Sequence, residues 1–216
     1  MTSETQLHSR EIWRGETRLH SGEVWRKAYH ISAGLMAFGV PFLNWQTMAA
    51  LMFGACLMNW KVLPRLGGRS MWRAPERTRG YSLGLTLYPL AIGVLCLLFR
   101  AEQWRTVAVW GVLAFGDGMS SLVGMTVGGP RLPWNLRKSW SGLAAFVLFG
   151  TLGAAVLMSW VELLSLRAWV SLPVLGTALL LAAICGVVES LPINVDDNVS
   201  IPAVGALIIA FLSRPF

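Results

Sequence analysis

Asp117 is the one charged residue in "VLAFGDGMSSLVGMTVGG", residues 112 to 129. A carboxylate in so apolar a run is costly unless it is paired or put to use. Ser120 and Ser121 follow one helical turn later, and Gly116, Ser120, Gly124 and Gly128 recur every four residues. That spacing suits close approach of helices, which accounts for the glycines as packing and leaves the aspartate unexplained. A carboxylate at the end of a closely packed helix can hold Mg²⁺, an ion that takes one or two carboxylates together with substrate phosphates.

Three further clusters combine with it. In "GEVWRKAYH", Arg26, Lys27 and His30 lie within one helical turn and can share a face; the plainer reading is a snorkelling cationic flank. In "NLRKSWSG", Arg137, Lys138 and Ser139 stand where an apolar helix begins, and free N–H groups and the helix dipole there favour anions. Ordinary cationic flanking is the alternative. The segment lacks the G-x-x-x-x-G-K-[ST] spacing of a Walker loop. In "ESLPINVDDN", Glu189 closes one apolar run and Asp196, Asp197 and Asn198 precede the next, as ligands or as a solvated acidic turn. Together, Asp117, Glu189 and Asp197 supply carboxylates for a divalent ion, while Arg26, Lys27, Arg137 and Lys138 supply cations for phosphates. That is the inventory of phosphoryl or nucleotidyl transfer, where catalysis is mostly positioning and charge stabilisation.

The elements that must position these groups are membrane helices. Hydrophobic residues make up 55% of the chain and charged ones 13%, against about 25% charged in soluble domains. Gly80–Phe99, Ser139–Val161 and Ala168–Val188 contain no Asp, Glu, Lys or Arg, and about 20 apolar residues span a bilayer as a helix. Barrel strands are shorter and alternate. Spans are expected at 28–43, 45–63, 81–99, 105–127, 139–161, 168–188 and 199–213, the first two forming a tight hairpin around Pro41, Asn44 and Trp45. With seven spans, fourteen of the eighteen Lys and Arg residues fall on one side; Arg100, Arg105, Arg167 and Arg214 fall on the other. Positive loops stay cytoplasmic, so the expectation is an all-α integral membrane protein of about seven transmembrane helices with a cytoplasmic N-terminus. Residues 1–27 form a cytoplasmic or interfacial segment and 28–216 a polytopic transmembrane catalytic domain.

The basic balance (+7) follows from topology and anionic headgroups, and nothing points to nucleic acid. The charged first 20 residues do not match a secretory signal. Cys56, Cys96 and Cys185 sit in apolar runs and suggest neither a disulfide framework nor a zinc site. "EIWR" (11–14) and "EVWR" (23–26) read as a short interfacial duplication, with Trp13 and Trp25 suited to the headgroup region. "NVS" (198–200) matches a glycosylation acceptor, but the cytoplasmic placement makes it idle.

On "RKAYH" (26–30), "YSLGLTLYPLAIG" (81–93), "FGDGMSSLVGMTVGG" (115–129), "RKSWSG" (137–142) and "VESLPINVDDNVSIP" (188–202), the sequence resembles the CTP-dependent lipid-alcohol kinases, which include phytol kinase, dolichol kinase and a diacylglycerol kinase. More distantly it is similar to the phosphatidate cytidylyltransferases. The resemblance covers about residues 23 to 211 and looks most like the phytol kinase branch. It implies CTP as phosphoryl donor, Mg²⁺ as cofactor and a long isoprenoid alcohol as acceptor. Asp117 would then bind the ion, helped by Glu189 or Asp197. Arg137, Lys138 and Ser139 would hold the nucleotide phosphates, Gly142 would allow close approach, and Gly124 and Asn198 complete the nucleotide site. Arg26 and Lys27 would neutralise the transferring group, with Asp197 and His30 as candidates to take the alcohol proton. The chain departs from many relatives at Ser141, where they carry an acidic residue. The rival readings are a cytidylyltransferase making a CDP-lipid, and a transporter or structural membrane protein. Against the latter, no half-to-half similarity is present. The expected setting is the inner membrane of a bacterium, with bilayer lipid, a prenol and a nucleoside triphosphate as partners.

Overall fold

The computed structural model describes residues 21–66, 72, 74–163 and 171–215. Arg10, Arg14, Arg18, the first "EIWR", Arg69, Arg73 and Arg167 lie outside the described residues. Helix α1 (Ser21–Gly34) runs on as a 3₁₀ segment, Leu35–Phe42, and α2 (Trp45–Leu57) ends in a π-helical turn, Met58–Val62. A short α3 (Ala74–Arg79) precedes α4 (Leu83–Leu98). Next, α5 (Gln103–Gly111), a π-helical turn (Val112–Asp117) and α6 (Gly118–Thr126) form one continuous rod. A hairpin of β1 (Arg131–Leu132) and β2 (Asn135–Ser139) leads into α7 (Trp140–Leu163), followed by α8 (Leu172–Ser190) and α9 (Asp197–Phe211).

Each expected span has a helical counterpart. Among the described residues three helices are long and apolar enough to cross a membrane: Gln103–Thr126, Trp140–Glu162 and Leu172–Ser190; Leu83–Leu98 and Asp197–Phe211 are shorter apolar helices. Asn44 ends the 3₁₀ segment and starts α2, its side chain accepting from the Thr47 N–H at 2.8 Å. The all-α expectation needs one correction, the antiparallel hairpin. The turn from α6 into it is set by Gly128 and Gly129, whose φ of +64° and +101° only glycine adopts cheaply. Arg26 and Lys27 also sit inside α1, which begins at Ser21, rather than ahead of it.

The α5–α6 rod is the core of the bundle. Trp104, Val107, Ala108, Val109, Trp110, Val112, Leu113 and Ala114 are all essentially inaccessible. Against the rod lies α7 along a seam of small residues. A Cβ on Gly111 would lie 2.6 Å from the Ala154 backbone nitrogen, and one on Gly142 would lie 3.0 Å from the Ser120 carbonyl oxygen. Such contact requires the small residues the sequence places there. Gly116, Ser120 and Gly124 serve this seam, whereas Gly128, the fourth member of the spacing, serves the turn.

Buried polar groups follow from proline placement. Pro89, inside α4, has no N–H for the Leu85 carbonyl. Asn59, in the π-helical turn of α2, donates its amide to that carbonyl at 2.7 Å and accepts from the Tyr29 hydroxyl at 2.9 Å. One side chain thus ties α1, α2 and α4 together. All three cysteines are free thiols.

Candidate active site

The termini that carry the chemistry meet at one end of the bundle. The start of α1, the start of α4, the end of α6, the hairpin, the start of α7, the end of α8 and the start of α9 line a cavity of about 1090 Å³. Antiparallel neighbours alternate their ends, so residues scattered over 170 positions arrive at one face.

Asp117 is 2% exposed. The π-helical turn that ends at Asp117 widens the rod there, a feature frequent at functional sites. Its Oδ2 accepts from Lys27 Nζ at 2.7 Å and lies 3.6 Å from His30 Nε2. Its Oδ1 is buried with no hydrogen-bond partner. Lys27 and His30, three residues apart, therefore do share a face. His30 Nε2 lies 3.0 Å from the Leu113 carbonyl, and its ring meets Tyr88 edge-on at 4.3 Å. A carbonyl only accepts, so this nitrogen holds the ring proton.

Glu189 at the end of α8 and Asp197 at the start of α9 bring carboxylate oxygens to Asp117, all three lying within 4.8 Å of one another. At an effective dielectric of about 20, two unit charges at that separation repel by about 3 kcal/mol. Lys138 offsets part of this, pairing with Glu189 and lying 3.8 Å from Asp197 Oδ2. Burial works against its ammonium, but the Glu189 and Asp197 carboxylates outweigh that and hold Lys138 above the usual lysine range. Three carboxylates facing two ammonium groups leave one formal negative charge. That surplus and the orphaned Asp117 oxygen fit a divalent ion with hard oxygen ligands.

The hairpin is pinned so that Lys138 reaches Glu189. Trp134 Nε1 donates to the Ser190 hydroxyl and Asn135 Nδ2 to the Ser190 carbonyl, both at 3.0 Å. Ser139 caps α7, accepting from the Gly142 N–H at 3.2 Å. Arg137 and Lys138 thus stand on β2 beside the helix start, with Arg137 exposed at the rim. Gly124 and Gly142 face each other below them, across the helix seam. Ser141 donates to the Gly128 carbonyl and lies 3.0 Å from Ser139. Ser141 therefore braces the turn.

On the opposite wall, Arg26 pairs with Glu23 at 2.6 Å and keeps a buried Nε with no acceptor. Asp196 caps α9, accepting from both the backbone and the side-chain N–H of Asn198 at 3.0 and 2.8 Å. Gly84 sits beneath them: a Cβ there would lie 3.3 Å from Asn198 Nδ2 and 3.4 Å from Arg26. Gly84, Glu23 and the capping role of Asp196 were not singled out from the sequence. The three-residue spacing of Glu23 and Arg26 was the available signal for one of them. All twelve candidate residues border or enter this one cavity.

No family model matches the chain, and no solved structure does. Among curated proteins, it is 30% identical over 183 residues to a probable chloroplastic phytol kinase of Triticum aestivum, covering 84% of this chain and 58% of that protein. A probable phytol kinase of Zea mays is 31% identical over 175 residues, 80% of this chain and 55% of that one. The farnesol kinase of Arabidopsis thaliana is 30% identical over 179 residues, 82% and 56%. The chain spans a little over half the length of these relatives. They are chloroplastic, which does not fit the bacterial inner membrane expected from the sequence. Over four fifths of its length, the stretch that carries the quoted motifs, the chain is similar to the phytol and farnesol kinases.

Proposed function

We propose that the chain transfers the γ-phosphate of CTP to the hydroxyl of an isoprenoid alcohol drawn from the bilayer, giving a prenyl phosphate and CDP. The observation that carries this is the convergence of Asp117, Glu189 and Asp197 with Lys27 and Lys138 in one polar cavity at the end of an apolar bundle. Acceptors of this class appear in the names of the relatives.

Asp117, Glu189 and Asp197 would hold Mg²⁺, which when bound would neutralise charge on the phosphates. Lys138 and Arg137, beside the start of α7, hold the nucleotide phosphates through fixed positive charge. Arg26 and Lys27 on α1 face them across the cavity and stabilise charge on the transferring group. A loose phosphoryl transition state asks mainly for such positioning. Asp197, at the exposed side of the cluster, takes the alcohol proton. His30 is unsuited through Nε2, which already carries a proton toward Leu113; it aligns α1 on the rod. Seven crossings, with the cavity on the side richer in Lys and Arg, complete the reading. A water-soluble nucleotide then enters from one face while the alcohol arrives laterally.

The test uses the purified chain in lipid nanodiscs with γ-labelled CTP or ATP, Mg²⁺, and phytol, farnesol, geranylgeraniol, dolichol or diacylglycerol. The expected result is labelled prenyl phosphate with CDP released. Pyrophosphate release would instead establish nucleotidyl transfer, and no product with any acceptor would refute both.

A further inference from the structure

Below the polar cavity a second, apolar hollow of about 280 Å³ opens on the outer surface of the bundle. Its walls are Leu35 and Phe38 of the 3₁₀ segment on one side and Phe149, Leu152 and Val156 of α7 on the other, with Phe115 of the rod as floor. Gly153 lets that floor form: a Cβ there would lie 2.4 Å from the Phe115 ring. Leu35, Leu152 and Val156 are each about half exposed, the last two on α7, which is long and apolar enough to cross a membrane.

Phe115 is two residues from Asp117 on the π-helical turn. Gly118, one turn beyond Phe115, receives Ile31, and Ile31 on α1 stands one turn from Lys27 and one turn from Leu35 at the start of the 3₁₀ segment. Ile31 thus fills the contact of α1 with the rod between the hollow and the polar cavity, and a chain seated in the hollow reaches the reacting groups by passing over the Ile31 side chain. Its far end is closed by Trp160, whose indole N–H donates to the Phe38 carbonyl at 2.9 Å. The Trp160 ring also meets Phe38 and Phe42 edge-on at 5.8 and 6.4 Å.

We propose that this hollow seats the first isoprenoid units of the acceptor, and that the Trp160 cluster deflects the rest of the chain along the lipid-facing side of α7. The inference rests on the prenol kinase reading for the identity of the occupant. The walls offer apolar atoms, which suits a branched hydrocarbon and no polar headgroup. The volume is just under that of ligand pockets (about 300–1,000 Å³), enough for part of a prenyl chain. Carbons held beside Ile31 and Phe115 leave the hydroxyl end of the chain at Lys27 and Asp117, where phosphate is transferred.

Two measurements test it separately from the chemistry. First, geranylgeraniol carrying a diazirine at its third isoprenoid unit is photolysed with the chain in nanodiscs, without nucleotide. Labelling is expected within residues 149–160 and 35–42. Labelling confined to other helices overturns the proposal, whatever the chain phosphorylates. Second, Val156→Trp fills the hollow from its exposed rim, and Val187→Trp makes the same change on the lipid-facing surface of α8. Val156→Trp is expected to raise the prenol KM at least tenfold and leave the nucleotide KM within twofold, with no change in Val187→Trp. Equal prenol KM in both variants also overturns the proposal. Labelling in the hollow by a chain that phosphorylates no prenol would retain the site and reject the kinase reading.

Discussion

At the cavity end of the bundle three carboxylates crowd together with two lysines, whereas at the far end each acid takes one arginine. There Glu102 pairs with Arg105 at 2.8 Å, and Arg105 also donates to the Ile209 carbonyl at the end of α9. Glu162, buried near the end of α7, pairs with Arg214 beyond α9. These pairs work as clasps: Glu102 steadies Arg105 as it reaches across to α9, and Glu162 with Arg214 ties the segment beyond α9 to α7. The cavity wall keeps one such pair, Arg26 with Glu23, but the Asp117 cluster has no one-to-one match. There three carboxylates share two lysines beside an open cavity; Glu162 Oε2 at the far end is as unpartnered as Asp117 Oδ1, so the charge count and the cavity, rather than an orphan oxygen, set the two ends apart. Charge that is balanced holds a fold together; charge left in surplus around a cavity is available to a ligand.

Substitution at the two ends should separate these roles most sharply at Asp117. Asp117→Asn is expected to lower phosphoryl transfer on the order of a thousandfold, while Glu162→Gln keeps activity within twofold. Because Asp117→Asn leaves Lys27 buried without a counter-charge, it should also cost about 3–5 kcal/mol of stability. Asp117→Asn combined with Lys27→Met should recover the thermal midpoint and remain inactive. Recovery of activity along with the midpoint would show that Asp117 is only a structural partner.

Glu189→Gln comes next. It should raise the Mg²⁺ concentration for half-maximal activity by roughly ten- to a hundredfold, measured by metal titration, where Arg214→Ala shows no change. A smaller effect tests the scaffold between the ends. Asn59→Leu strands the Leu85 carbonyl and should lower stability by about 1–3 kcal/mol in thermal unfolding. Adding Pro89→Ala, which restores the missing N–H, should recover part of that loss. The least effect is expected from pH. Lys138 is held above the ordinary lysine value of about 10.4, so the contribution of its pairs is fully present below that value and fades only as pH rises through the folded one. The nucleotide KM should therefore stay flat from pH 7 to about 9; a rise within that window would show Lys138 deprotonating.

Helix positions were largely legible in the order of residues, because a charge-free run of 20 is read directly against bilayer thickness. The Asn44 and Ser139 caps were equally local. The hairpin was not, since β1 has two residues and β2 five, too few for an alternating pattern to stand out. Among the candidates, Asp117 was conspicuous because a lone carboxylate violates its surroundings. Gly84 was invisible for the opposite reason: a glycine in an apolar helix violates nothing, and its use depends on Arg26 and Asn198 arriving from 58 and 114 residues away. Asn59 was hidden in the same way, since its value lies in a carbonyl freed by a proline on another helix.

The sequence alone determined a bundle of apolar helices, the unequal distribution of cations along them, and the residue types able to bind an ion and phosphates. Those properties are sums over neighbouring residues, and neighbours along the chain are always known. Only the tertiary structure decided that Asp117, Glu189 and Asp197 meet within one ion's reach. It also decided that Lys27 and Lys138 leave a negative surplus there, and that an apolar hollow adjoins the same turn. Each of these depends on which helix ends are paired in space, to within an ångström or two, and helix packing sets that distance through the Gly142–Ser120 and Gly111–Ala154 contacts rather than through any local signal.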